Sequence, residues 1–201
     1  MSSWALVPVK ARAEGKARLS GVLSPEARAA VVRDMLRHVL EVLRASPGID
    51  HVAVVSPERD EVPPDVLLLN EQGLGLNPTL GRAVATLKSM GAREVVIVPA
   101  DLPRLKTRDV ELLLAGVRSA GCALASDWRG LGTNAIALDM PLLRDIAFRF
   151  SFGEGSFARH RQEASALGLG PKLVRSAGLA FDLDEPRDLR LVDWGMKRRA
   201  G

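Results

Sequence analysis

Four consecutive β-branched residues, Val95-Val96-Ile97-Val98, stopped at once by Pro99, constrain this chain more than any other feature. The run is too short for a helix and apolar at every position rather than every second one, so it reads as a strand buried on both faces. Similar short runs recur at residues 4–9, 51–56, 66–69 and 122–126. Segments with helical spacing separate them. Ser24-Pro25-Glu26 supplies a cap and a first-turn proline, and Val31, Met35, Val39 and Val42 follow on one face up to Arg44. Asn77-Pro78 opens a second helix that stops at Gly91, and Thr107 begins a third that runs to Arg118. This alternation predicts an α/β fold: a single-domain three-layer sandwich with a mostly parallel sheet covered by helices on both faces. Ligands of such sheets bind beyond the carboxyl ends of the strands.

Residues 134–138 read as a further strand whose direction stays open. Phe148, Phe150, Phe152 and Phe157, four of the five phenylalanines, crowd the irregular stretch after it, so that stretch is expected to pack over something. A helix is expected over 157–167, a last strand over 179–183, and a terminal helix from Pro186.

With 201 residues, 47% of them hydrophobic, the chain can bury one sizeable core, here expected over 1–195, with a basic tail at 196–201. The net charge of +4 falls partly in that tail, at Lys197, Arg198 and Arg199, which reads as a solvated end. Aromatics make up 4% and Tyr is absent, so stacking platforms for nucleic acid are scarce. The single Cys122 excludes an internal disulfide and reads as a small buried hydrophobe. No apolar run approaches the ~20 residues that span a bilayer. A cytoplasmic protein that binds neither nucleic acid nor membrane is expected, and a homodimer is one assembly open to it.

Chemistry is sought beyond the strand ends. Lys10, Arg12, Lys16 and Arg18 stand in the loop after the first strand and suit a polyphosphate, whose charge must be neutralised before a nucleophile approaches. The same loop reads equally as solvent-exposed. Asp101, flanked by Pro99 and Pro103, sets a carboxylate at the sheet edge, sufficient to anchor magnesium or to cap a turn. Asp182 and Asp184 form a second acidic pair, Asp182 the better metal ligand and Asp184 a cap for the helix at Pro186. Gly130, Gly132 and Thr133, and the segment from Phe152 through Gly153 to Ser156, offer two places where backbone and hydroxyl groups meet an anion. His160 reads as a surface residue of the following helix.

In their order and spacing, Pro8-Val9-Lys10, Lys16-Ala17-Arg18-Leu19, Pro99-Ala100-Asp101-Leu102-Pro103, Gly132-Thr133-Asn134, Phe152-Gly153 with Ser156 and His160, and Phe181-Asp182-Leu183-Asp184 resemble the CofC/FbiD guanylyltransferases of coenzyme F-420 biosynthesis. The resemblance runs nearly the whole length. It implies a fold similar to the GT-A-like molybdenum cofactor guanylyltransferases, with GTP as co-substrate and Mg2+ as cofactor. It also implies transfer of GMP to 2-phospho-L-lactate, phosphoenolpyruvate or 3-phosphoglycerate with release of pyrophosphate. Lys10, Lys16 and Arg18 would face the GTP phosphates, with Lys10, Lys16 and Asp101 catalytic. Gly75 and Asn77 would lie near the base, Asp101 would hold the metal, and Thr133, Gly153 and Ser156 would hold the phospho-acid. Ala17 departs from the family's usual Thr, and Pro78-Thr79 from its usual small residues. The rivals are a cytidylyl or molybdopterin-type transferase, whose usual Gly-x-Gly-x-Arg opening is absent here, and a non-catalytic nucleotide-binding or nucleic-acid-associated module.

Overall fold

The structure, a computed structural model, describes residues 2–9, 17–57, 62–70, 75–143 and 146–191. Among the described residues seven strands form one sheet: β1 (Ser3–Pro8), β2 (His51–Ser56), β3 (Leu67–Asn70), β4 (Glu94–Ile97), β5 (Cys122–Ser126), β6 (Thr133–Asp139) and β7 (Lys172–Val174), in the order β3-β2-β1-β4-β6-β5-β7. Every pairing is parallel except the two made by β6, against β4 and β5. The reversal has a local cause. Only residues 127–132 separate β5 from β6, too few for the crossover of a dozen or more that a parallel partner requires. Asp127 closes this turn, its Oδ1 accepting the Leu131 N–H at 2.9 Å and its own N–H donating to Gly132 O at 3.0 Å.

The helices are α1 (Pro25–Ala45), α2 (Leu76–Ser89), α3 (Thr107–Ala120), α4 (Met140–Leu143), α5 (Ser156–Ala166) and α6 (Ala177–Ala180). Ser24 caps α1 as expected, accepting the Ala27 N–H at 3.2 Å. Neighbouring strand residues point to opposite faces, so Ala5, Val7, Val96 and Val98 pack under α1 and α3, through Leu36, Val39, Leu40, Leu113 and Val117. Trp4, Leu6, Val95 and Ile97 pack on the other side with Leu80, Val84 and Leu87 of α2, Ala164 of α5, and Phe148 and Phe150. Each such branched or aromatic side chain, fully buried, contributes roughly 1.5–3 kcal/mol of transfer free energy, which makes these two layers the main source of stability. Among the described residues no helix is long and apolar enough to cross a membrane.

The structure corrects the expected C-terminal elements. Residues 179–183 are not a strand: Ser176 Oγ accepts the Leu179 N–H at 3.0 Å and caps the short α6, which ends at Ala180. Gly178 seats this turn against α3, where an added Cβ would meet the Asp109 carboxylate and lie 2.7 Å from Arg104 O. The sheet is completed instead by β7, beside β5. A 3₁₀ turn at Asp188–Leu191 replaces the helix expected from Pro186, as far as the described residues extend. Asp188 Oδ2 accepts the N–H groups of Asp184 at 3.0 Å and Glu185 at 2.7 Å, which ties this turn to the segment before it.

At the opposite, amino end of the sheet the first residue of β4, Glu94, is buried. Arg118 of α3 donates to it through Nε and Nη2, both at 2.8 Å, and Ser3 Oγ donates at 2.6 Å. Burial alone would raise the carboxyl's pKa. The hydrogen bonds from Arg118 and Ser3, with the Arg118 charge, outweigh it and hold Glu94 below its ordinary 4.5. A lowered folded value means stability present above the unfolded pKa and lost as pH falls through the folded one. Glu94→Gln should therefore lower the unfolding free energy by about 2 kcal/mol at neutral pH. In urea titrations the gap to wild type should narrow below the ordinary value of 4.5.

Candidate active site

Because β1, β2 and β4 are parallel, all three finish at one edge. Val9 N–H donates to Val55 O at 2.9 Å there, and Val98 N–H to Leu6 O at 3.1 Å. Running the other way, β6 pairs Ile136 with Ile97, so its first residues, Thr133 and Asn134, arrive at the same edge. Asp101 stands just beyond β4. Leu183 N–H donates to Asp101 O at 3.1 Å and lays the segment after α6 alongside, while Trp128 N–H donates to Ala180 O at 2.9 Å. Asn134, buried, donates from Nδ2 to Leu179 O at 2.8 Å and to Asp182 Oδ1 at 3.5 Å. Two carboxylates that the chain holds far apart, Asp101 and Asp182, thus become neighbours. Burial, then the charges of Asp101 and Asp184, push the Asp182 carboxyl up to about 6.

Beside this acidic pair lies a hydroxyl cluster. Ser156, buried at the start of α5, accepts the Thr133 N–H on Oγ at 2.9 Å. Thr133 Oγ1 lies 2.9 Å from His160 Nδ1, and the other ring nitrogen, Nε2, accepts the Ser151 N–H at 2.8 Å. A backbone N–H can only donate, so Nε2 carries the lone pair and, in the neutral ring, Nδ1 carries the hydrogen. His160 is 0% exposed, which corrects the surface position expected for it. Phe148, Phe150 and Phe152 surround it, with ring centroids 5.9, 6.5 and 4.8 Å away, so His160 is what the aromatic stretch packs over. Burial, then the nearby Arg159 charge, push the imidazole down to about 4. The sequence signal for its burial is Ser156, His160 and Ala164, four apart on one helical face.

Gly153, at φ +124°, and Gly155, at φ +66°, shape the approach to α5 in backbone that favours glycine. Asn77, in the first turn of α2, accepts the Phe152 N–H on Oδ1 at 2.7 Å and donates from Nδ2 to Phe152 O at 3.2 Å. Its amide thus holds the loop before Gly153, a role the sequence did not suggest. Gly75 caps α2 at φ +80°. Arg18 is exposed on a 3₁₀ turn, Ala17–Leu19, but the adjacent Leu19 is buried with Met35 and Leu183, so this turn is bound to the segment that carries Asp182. Lys10 and Lys16, with Arg12 and Gly73, lie outside the described residues, as does the 196–201 tail. Among the described residues no three His, Cys, Asp or Glu side chains converge as a metal cluster. Cys122 is buried, and its burial pushes the thiol up to about 12.

The two shifted groups act on stability in opposite directions. A folded His160 near 4 against an ordinary 6.5 means stability falls as pH drops between those values. A folded Asp182 near 6 against an ordinary 3.8 means stability rises as pH drops through that window. Asp182→Asn should therefore leave a chain that weakens with acid between about pH 6 and 4, and His160→Asn one in which the Asp182 contribution grows with acid, both read from urea unfolding across that range.

The sequence pattern of the "Guanylyl transferase CofC like" family matches residues 3–195. A phosphoenolpyruvate guanylyltransferase of Sphaerobacter thermophilus is 40% identical over 94% of this chain and 91% of that protein. A 2-phospho-L-lactate guanylyltransferase of Halorubrum lacusprofundi is 35% identical over 87% and 76% respectively, and a 3-phospho-D-glycerate guanylyltransferase of Phenylobacterium zucineum 35% over 92% and 86%. A solved structure from Desulfovibrio desulfuricans, assigned as a nucleotide-diphospho-sugar transferase, superposes with a TM-score of 0.78 at 18% identity, covering 100% of this chain and 90% of that one. That likeness establishes the α/β fold, and the sequence matches establish the kinship: the chain belongs to the CofC-like guanylyl transferase family.

Proposed function

We propose that the chain transfers GMP from GTP to the phosphate of a small phospho-hydroxy acid, with release of pyrophosphate, as a cytoplasmic step of coenzyme F-420 biosynthesis. Relatives named for phosphoenolpyruvate, 2-phospho-L-lactate and 3-phospho-D-glycerate define the acid class. The observation that carries the reading is the hydrogen bond from Leu183 N–H to Asp101 O, because it sets two carboxylates beside the hydroxyl cluster of Thr133 and Ser156 at one sheet edge.

In the reaction, an oxygen of the acid's phosphate attacks the α-phosphorus of GTP in line. A new P–O bond forms as the bond to the β-phosphate oxygen breaks and pyrophosphate leaves. The attacking oxygen is already anionic, so no general base is required and the protein's contribution is alignment and charge neutralisation. Asp101 and Asp182 would hold Mg2+; their donor set fits, being two carboxylates whose mutual repulsion a divalent cation relieves. Magnesium supplies charge neutralisation on the phosphates when bound. Lys10, Lys16 and Arg18 add positive charge for the triphosphate. Gly75 and Asn77 border the nucleotide at the start of α2, and Thr133, Gly153 and Ser156 receive the acid.

Purified protein mixed with GTP, magnesium and each of the three acids in turn should release pyrophosphate and yield a guanylylated product of matching mass. Silence with all three refutes the acid class. Asp101→Ala should lower turnover at least about a hundredfold, a loss of the size seen when a preorganised charge-stabilising group is removed, while keeping a cooperative thermal transition. Near-wild-type rates would remove Asp101 from the metal site.

A further inference from the structure

His160 touches no reactant in the proposed reaction, yet it is fully buried, polar and bonded at both ring nitrogens. A hydroxyl has one hydrogen to give and two lone pairs to receive with, so what its inner neighbour demands decides what it can offer outward. If Nδ1 bore the lone pair, it would take the Thr133 hydroxyl hydrogen and leave an oxygen that repels anions. The backbone N–H of Ser151 forbids that arrangement by occupying Nε2 as a donor, at 2.8 Å. Nδ1–H then donates to Thr133 Oγ1, and the hydroxyl hydrogen remains uncommitted. Ser156 is treated in the same way, since its Oγ already accepts the Thr133 N–H. Both hydroxyls thereby keep a hydrogen to donate.

We infer that His160 is a positioning residue for the acceptor acid. Through the tautomer fixed by Ser151, it spares the Thr133 hydroxyl hydrogen, which is then free to donate to an ionised phosphate or carboxylate oxygen of the acid. The inference rests on the proposal that Thr133, Gly153 and Ser156 receive the acid. It reaches further, to a residue that never contacts the acid.

Two measurements test it. Long-range proton–nitrogen NMR on the wild-type chain, which has three histidines, should show one ring protonated on Nδ1 only and unchanged between about pH 5 and 8, the range over which an ordinary histidine titrates. That ring should vanish in His160→Gln. Protonation on Nε2, or titration inside the range, overturns the inference whatever the enzyme's activity. In pyrophosphate-release kinetics, His160→Gln keeps an acceptor for Ser151 but loses the donor to Thr133. It should raise KM for the acid about tenfold or more, as expected for a hydrogen bond to a charged group, with KM for GTP unchanged. His160→Asn, whose amide can replace Nδ1–H, should recover most of that loss. Equal effects of both variants on both KM values would mark a packing role only and overturn the inference. A wild type inactive with every acid would instead sink the functional reading, and the tautomer measurement would still decide the claim about His160.

Discussion

One reversed strand governs the geometry of this molecule. A parallel sheet delivers the ends of its strands to the working edge, so each strand supplies only the residues beyond its carboxyl end. By running the other way between β4 and β5, β6 delivers its beginning, and Thr133 and Asn134 reach the edge where Asp101 already stands. Those two residues organise both halves of the site: Asn134 touches the acidic segment through Leu179 and Asp182, and Thr133 touches α5 through Ser156 and His160. The short turn closed by Asp127 is what forces the reversal.

Electrostatically the edge is divided. Asp101 and Asp182 crowd like charge into a half-buried place, an arrangement that costs stability near neutral pH. A few residues away the polar groups are neutral and act as donors, with His160 kept uncharged by burial. On the proposed function, a site with a negative pole and a donor wall would take two anions, one reaching the protein through a metal and the other through hydroxyls and backbone N–H groups.

The sequence disclosed the frame well. Strands 4–9, 51–56, 95–98 and 122–126 were legible because residues buried on both faces leave continuous apolar runs, and α1 because Ser24 and Pro25 mark its start. The three-residue β7 was illegible: Lys172 and Leu173 are exposed and Val174 alone is buried, too little for any period. The 179–183 run misled because its apolar residues pack a turn, and the Ser176 cap outweighs strand propensity. The candidate positions Asp101, Thr133, Gly153, Ser156 and Asp182 could be proposed from their text. That Asp101 and Asp182 are neighbours could not, since a tertiary hydrogen bond between distant segments leaves no local mark. The grip of the Asn77 amide on the Phe152 backbone was equally illegible, for the same reason.

The loop ahead of α5 is gripped by its main chain. Glu163 takes the Arg149 N–H, His160 the Ser151 N–H, Arg159 the Ser151 carbonyl, and Asn77 both groups of Phe152. Peptide groups are common to all residue types, so these anchors are indifferent to what the loop displays. Side chains at 149 and 151 can be exchanged without unseating it, which leaves this enzyme a rewritable panel inside a fixed mount.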